Sequence, residues 1–313
     1  MDRTEIKQQI VGAVTTVATP FDDEFEVDYS RMAETAEWWV DQGLVTSKAV
    51  IKVAAAMGEG PQLRDTEWPR LLETLVKAVD GKVPVVCGLH YKDTIRTIED
   101  AKIAQDLGAV GLQISPPIFN DPNQDDMLRY YEAVSDAIDI GIIVYNTHWQ
   151  YCGSILPETF EKMADFEKVV AIKWNPPPGI DYESIYGLSD TFNIIDNSDQ
   201  PVRCHKLGGR GFINLTADIH PPFDLRIWEL LESGQYDLAQ AEWDSVYVPL
   251  RAFYLRTVGG SGGQGRVKKG LMDAIGRSFG KSRPPSLPMA SEEMDELRDM
   301  LRGFGWPVAE PTS

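Results

Sequence analysis

Cysteine is scarce in this sequence: Cys87, Cys152 and Cys204 are the only three, an odd number with no CxxC pair. That usage fits a reducing compartment better than a disulfide framework. Basic residues are also few, 30 lysines and arginines against 48 aspartates and glutamates, for a formal charge of −18. So acidic a balance excludes nucleic acid and anionic membranes as main partners, since both require basic patches. No apolar run reaches the ~18 residues of a membrane span, and the start, MDRTEIKQQI, lacks a signal-peptide apolar core. The four histidines, His90, His148, His205 and His220, show no HxH or HExxH spacing. Neither a metal site nor a cofactor is expected from that pattern. What remains is ordinary globular usage, 43% hydrophobic and 25% charged, in a chain long enough for one large core. A soluble, cytoplasmic protein is the expectation.

Eight short apolar runs punctuate the chain. They are GAVTTVAT (12–19), KAVIKVAAA (48–56), VPVVCG (83–88), VGLQIS (110–115), IGIIVYN (140–146), VVAIKW (169–174), FNIIDN (192–197) and GFINL (211–215). Most are too continuously apolar for a sheet with one wet face, so they predict parallel strands buried on both sides. Helix-like stretches lie between them. In TIRTIEDAKIAQDLGA, Ile95, Ile98, Ile103 and Ala104 can share a face, with Leu107 before a Gly108 C-cap. In DDMLRYYEAVSDAID, Met127, Leu128, Tyr131, Val134 and Ile138 do the same, and Pro157 suits a first helical turn. The strand ends Gly88, Ser115, Tyr145 and Lys173 are 27, 30 and 28 residues apart. Such a repeat of βα units favours a (β/α)8 TIM barrel over an open doubly wound sheet. Residues 1–220 are expected to form the barrel. Residues 221–313 should supply its last helix and a C-terminal helical extension, with GGSGGQG (259–265) as a flexible loop and RPPSLP (283–288) as the hinge into the last helix.

In a barrel, chemistry collects at the carboxyl ends of strands. Lys173 ends the run VVAI. A lysine that deep in an apolar strand is costly when charged, so its amine should turn neutral and nucleophilic, as Schiff-base catalysis requires. Equally open is a lysine whose charge snorkels to water. Tyr145 ends the preceding strand at the corresponding place. Its phenol can move protons in the same cavity, or serve as a core tyrosine with a satisfied hydroxyl.

Six dispersed motifs fall in matching order: GAVTTVATPF, GEG after strand 2, YN after strand 5, IK after strand 6, GGRGFIN at strand 8 and RPPSLPMASEEMDELR near the end. Over nearly its full length the chain resembles the dihydrodipicolinate synthase and N-acetylneuraminate lyase family of class I aldolases. The resemblance implies a (β/α)8 barrel with a helical C-terminal region, usually a homotetramer. It also implies an imine between Lys173 and an α-keto acid, commonly pyruvate, with Tyr145 as the proton-relay tyrosine.

Departures from the family pattern are equally informative. Where the family has Gly-Thr-Thr-Gly-Glu to hold the keto-acid carboxylate, this sequence has Ala55-Ala56-Met57-Gly58-Glu59. Two hydroxyls are missing, each hydrogen bond to a charged group being worth roughly 1.5–3 kcal/mol; the amides of Met57 and Gly58 remain as donors. Phe119 falls near the family's second relay tyrosine, and Ala56 replaces the relay threonine. Gln150 stands where the synthases carry an arginine for their second substrate, and a neutral amide offers no charged bidentate fork.

Bulkier groups take their place. Met57, Phe119, His148, Trp149 and Trp174 suit a larger, less charged substrate. His148 is either an acid–base group or a surface histidine on a variable loop, and His90 carries the same ambiguity. Asp196 and Asn197 end strand 7, where they can bind substrate hydroxyls or serve the fold. Gly208, Gly209 and Gly211 allow close backbone approach to a ligand or simply a tight turn, and Ile213 can offer main-chain atoms. Thr15 and Thr16 are expected near the barrel floor below Lys173.

The expected function is a lyase working through an imine on Lys173, by aldol chemistry or dehydration of a 2-oxo acid, and not true dihydrodipicolinate synthase. The alternatives are a hydratase-aldolase or sugar-acid dehydratase for a bulky or aromatic substrate, or a degenerate keto-acid-binding scaffold.

Overall fold

The computed structural model describes residues 1–90, 92–150, 153–261 and 263–310; the cysteine at 152 lies outside them. Eight parallel strands close into one barrel in sequence order. They are β1 (Gly12–Thr16), β2 (Ala49–Val53), β3 (Val85–Leu89), β4 (Gly111–Ile114), β5 (Gly141–Tyr145), β6 (Val169–Trp174), β7 (Asn193–Asp196) and β8 (Gly211–Phe212). Each falls on one of the eight apolar runs, β3 reaching one residue past its own, because residues buried on both faces leave no polar side to the sheet.

The helices are α1 (Arg3–Gln9), α2 (Tyr29–Asp41), α3 (Glu67–Val79), α4 (Thr94–Asp106), α5 (Gln124–Ala137) and α6 (Pro157–Lys162). Then come α7 (Pro201–Lys206), α8 (Pro221–Glu232), α9 (Tyr236–Val258), α10 (Gln264–Ala274) and α11 (Ser291–Gly303). Pro157 opens α6 at its first turn, and Gly108, at φ 94°, follows α4 as expected.

The expected face of α4 holds in part: Ala104 is buried and Ile98 packs against the core, but the two outer isoleucines do not. Ile95 is 73% exposed and Ile103 is 41% exposed, while Thr97, Asp100, Ala101 and Ala104 are buried. Small side chains let α4 approach the barrel, and the polar ones are satisfied there. The Thr97 hydroxyl bonds to Tyr130 at 2.9 Å, and Asp100 accepts from Lys92. The glycine-rich stretch also differs from a simple loop, since α10 begins at Gln264 within it. Gly265 packs against the buried Glu59, where a Cβ would lie 2.4 Å from Cγ.

Two apolar regions hold the molecule. The larger lies between strands and helices. The smaller fills the barrel interior with Val14, Val50, Val86, Ile143, Val170 and Ile195, and α1 caps that end with Ile6 and Ile10. The amino-terminal end of the barrel is therefore closed by apolar packing, leaving the carboxyl end for polar groups. No helix among the described residues is long and apolar enough to cross a membrane.

Candidate active site

Side chains alternate across a strand, so each inward residue at the apolar level is followed two positions later by one nearer the mouth. Thr16, Lys52, Gln113, Tyr145 and Lys173 occupy that upper level and line a cavity of about 320 Å³. Ala55, Ala56 and Met57 supply part of the rim after β2, and Asn175, Asn197, Ile213, Asn214 and Leu215 another part. Trp149 closes one side, its ring 5.5 Å from that of Tyr145.

Lys173 is 6% exposed, and its Nζ lies 3.7 Å from the centroid of the Tyr145 ring. Burial first, then the proximity of Lys52, holds its amine well below the ordinary lysine range. The uncharged, nucleophilic form of the amine is thereby favoured. Lys52 is fully buried and donates to Gln113 Oε1 at 2.6 Å. Burial lowers it to about 7. The His90 imidazole, 6.1 Å from the Tyr145 ring and 3.3 Å from the Ser115 hydroxyl, is pushed down to about 3 by burial and the two lysines. It is neutral at physiological pH.

Beyond the barrel, α9 forms a second wall. Tyr247, Arg251, Tyr254 and Val258 follow helical spacing along one face and line the cavity. Asp199 accepts from the Tyr247 hydroxyl at 2.6 Å and from Arg251 Nε at 2.9 Å, fixing the guanidinium near the Tyr254 ring. In a chain of charge −18, the cavity is lined by three basic side chains, Lys52, Lys173 and Arg251, against the single carboxylate of Asp199. That arrangement favours an anionic ligand.

A fully buried ion pair supports this architecture from below. Lys268 on α10 donates to Asp218 and, at 3.0 Å, to the Leu215 carbonyl. Asp224 accepts from Asn214 and from the Thr216 hydroxyl, and burial raises it to about 7. The β8–α8 connection is thereby held where Asn214 and Leu215 meet the cavity.

The expected site residues separate into two groups. Lys173, Tyr145, Ala56, Met57, Trp149 and Ile213 line the cavity, as do Thr16 and Asn197. Others are placed elsewhere. Trp174 follows the inward Lys173, so it faces the helices, fully buried, with Nε1 donating to the Tyr182 carbonyl at 2.9 Å. Asp196 follows the inward Ile195 and accepts from Tyr182 at 2.7 Å and from the Gln200 amide at 2.8 Å. Thr15 likewise points away, toward Asp218.

Gly58 lies against Val17, whose carbonyl would be 2.2 Å from a Cβ there, and its N–H is used on Ala55. Gly209 packs on Cys204, leaving 2.2 Å between a Cβ and Sγ. Phe119 is 83% exposed on the loop after β4 and takes no part in the cavity lining. His148 is half-buried against Trp149 at 5.0 Å, outside the lining.

Lys52, Gln113 and the α9 residues were not anticipated. Lys52 carried the same signal as Lys173, a lysine within an apolar run. The α9 face was visible as Tyr247, Arg251 and Tyr254 at i, i+4 and i+7.

A profile of the dihydrodipicolinate synthetase family matches residues 9–303. The chain belongs to that family. With membership comes the enzyme class, a lyase. The 4-hydroxy-tetrahydrodipicolinate synthase of Thermomicrobium roseum is 27% identical over 252 residues, 79% of this chain and 80% of that protein. Dihydrodipicolinate synthase from Aquifex aeolicus superposes with a TM-score of 0.86 at 24% identity, covering 96% of this chain and all of that one (100%). The synthase from Acinetobacter baumannii, solved with pyruvate, gives 0.83 at 22% identity, over 95% and 99% of the two chains. These superpositions establish a common barrel.

Proposed function

We propose that this family member forms an imine between Lys173 and a 2-oxo acid such as pyruvate, and uses it to make or break an adjacent C–C or C–O bond. The observation that carries the reading is the buried Lys173 amine, set against the Tyr145 ring in a cavity it shares with Lys52 and Arg251. Its lone pair attacks the ketone carbon, and the resulting carbinolamine loses water to give a protonated imine. That cation is an electron sink, so the neighbouring bond can cleave to an enamine. Tyr145 shuttles the proton. The first N–H groups of the turn at Ala56–Gly58 lie at the rim and suit the substrate carboxylate.

Authentic dihydrodipicolinate synthase activity does not fit. Gln150 replaces the expected arginine and lies outside the cavity lining. The outer wall instead carries Trp149, Tyr247, Tyr254, Leu255 and Val258. This apolar, aromatic lining favours a bulky partner, so a hydratase-aldolase producing or consuming an aromatic or branched aldehyde is the second reading. A cytoplasmic homotetramer belongs to the same proposal, and light scattering of purified protein tests the assembly.

Sodium borohydride trapping with a panel of 2-oxo acids, read by intact mass and peptide mapping, is the decisive experiment. A reduced adduct on Lys173, absent from Lys173→Ala, is expected. Silence across the panel would instead mark a keto-acid-binding scaffold. Product analysis then separates aldol cleavage, which yields two carbon fragments, from dehydration, which yields one.

A further inference from the structure

Lys52 is on β2 and Lys173 on β6, strands that lie across the eight-stranded barrel from one another. Their side chains line the same cavity, and each bears on the other's charge. Neither has a carboxylate partner among the described residues. Two buried ammonium groups in one cavity repel each other, so one of the two nitrogens is held neutral. The surroundings decide which. Lys52 also faces the Gln113 oxygen, an acceptor that calls for an N–H donor. Lys173 faces the Tyr145 ring and the open cavity. Lys52 is therefore the ammonium and Lys173 the amine.

We propose that Lys52 is a second catalytic lysine, the acid that delivers a proton to the carbinolamine oxygen on Lys173 so that it departs as water. The inference rests on the imine reading above. In the balanced step, Lys173 Nζ bonds to the ketone carbon and an amine proton passes to the new alkoxide. The Lys52 ammonium then protonates that hydroxyl, the C–O bond breaks, and the nitrogen lone pair forms the C=N bond. Water, a protonated imine and a neutral Lys52 result; hydrolysis reverses each transfer.

One positive charge is present before and after the step, moved from Lys52 to the imine nitrogen. A buried site gains no uncompensated charge during the reaction. The role also fills a gap in this chain. Ala56 stands in place of the relay threonine, and Phe119, near the position of the second relay tyrosine, is 83% exposed. Lys52 replaces hydroxyls with an ammonium inside the barrel, while its charge helps keep Lys173 unprotonated.

The titratable groups facing Lys52 are Lys173 from β6, Tyr145 from β5 and His90 beyond β3, with Gln113 from β4 and Thr16 from β1 completing its surroundings. The imidazole is neutral above pH of about 3. The alkaline limb of imine formation is thus assigned to loss of the Lys52 proton near pH 7.

The test is borohydride trapping of the full-length enzyme with pyruvate, or the panel member that wild type traps best, across a pH series. Lys52→Met should slow trapping about 10²–10⁴-fold and move its acid limb upward, because Lys173 becomes more basic. Gln113→Glu, a milder change in case the first variant fails to fold, should hold Lys52 protonated and move the alkaline limb upward. Circular dichroism checks both folds. Wild-type trapping with unchanged rates and limbs in both variants overturns the role of Lys52 alone. No trapping in wild type overturns the imine reading itself, and the two failures are told apart before any variant is compared.

Discussion

The Lys173 amine rests on the face of the Tyr145 ring, 3.7 Å from its centroid. The ring is therefore a platform for the amine in the cavity that both residues line. Tyr145→Phe should keep the platform and lose the proton shuttle. Turnover is expected to fall about 10²–10⁴-fold, whereas equilibrium binding of a 2-oxo acid changes little. Equal losses in kcat/KM and binding would show that the hydroxyl acts in ground-state recognition instead.

Arg251 is the cation nearest the outer wall, held by Asp199 at 2.9 Å. Arg251→Gln should raise KM about 10–100-fold for substrates with an anionic far end and leave pyruvate trapping at Lys173 intact. Steady-state kinetics with matched charged and uncharged substrates checks this. Equal KM changes for both would remove Arg251 from substrate recognition.

Lys52 makes a stability prediction independent of catalysis. Its folded value, about 7, lies below that of an unfolded lysine, so the unfolded chain binds more protons between pH 7 and about 10.4. Stability from this group rises with pH through that window and is lowest below it. Lys52→Met should be more stable than wild type at pH 7, by about 0.5–2 kcal/mol. The advantage should shrink as pH approaches 10. Urea melts at several pH values measure the gap; a constant gap would mean that Lys52 is not neutralised by folding.

Lys268 and Asp218 are both fully buried. Lys268→Met strands the Asp218 carboxylate and should cost about 3–5 kcal/mol. Adding Asp218→Leu should recover much of that loss, although the Thr15 hydroxyl, 3.2 Å from Asp218, then loses its acceptor. Thermal unfolding of the single and double variants distinguishes a stranded charge from simple loss of packing.

The barrel was legible because eight short apolar runs alternate with helix-like stretches at a βα spacing of 27–30 residues between strand ends. Inward and outward parity was less legible, because parallel strands are buried on both sides. In VVAIKW both neighbours of the strand-end lysine are apolar or aromatic, so Trp174 gave no sign that it faces the helices. Asp196 misled similarly: being polar at a strand end, it resembled a ligand group but serves Tyr182 and the start of α7. On α4, Ile95 and Ile103 pulled the expected face off-centre, because much of the inner face is made of small and hydrogen-bonded side chains. Lys52 could be understood only once closure of the barrel set β2 opposite β6.

Lys173 belongs to the closed sheet, whereas the outer wall of its cavity belongs to α9, which follows the last strand in the chain. Residues along that helix can therefore be exchanged without disturbing a single strand-to-strand register. Diversification of this enzyme, natural or in the laboratory, has a ready dial in Tyr247, Tyr254, Leu255 and Val258, one that retunes the company the amine keeps while its own setting stays fixed.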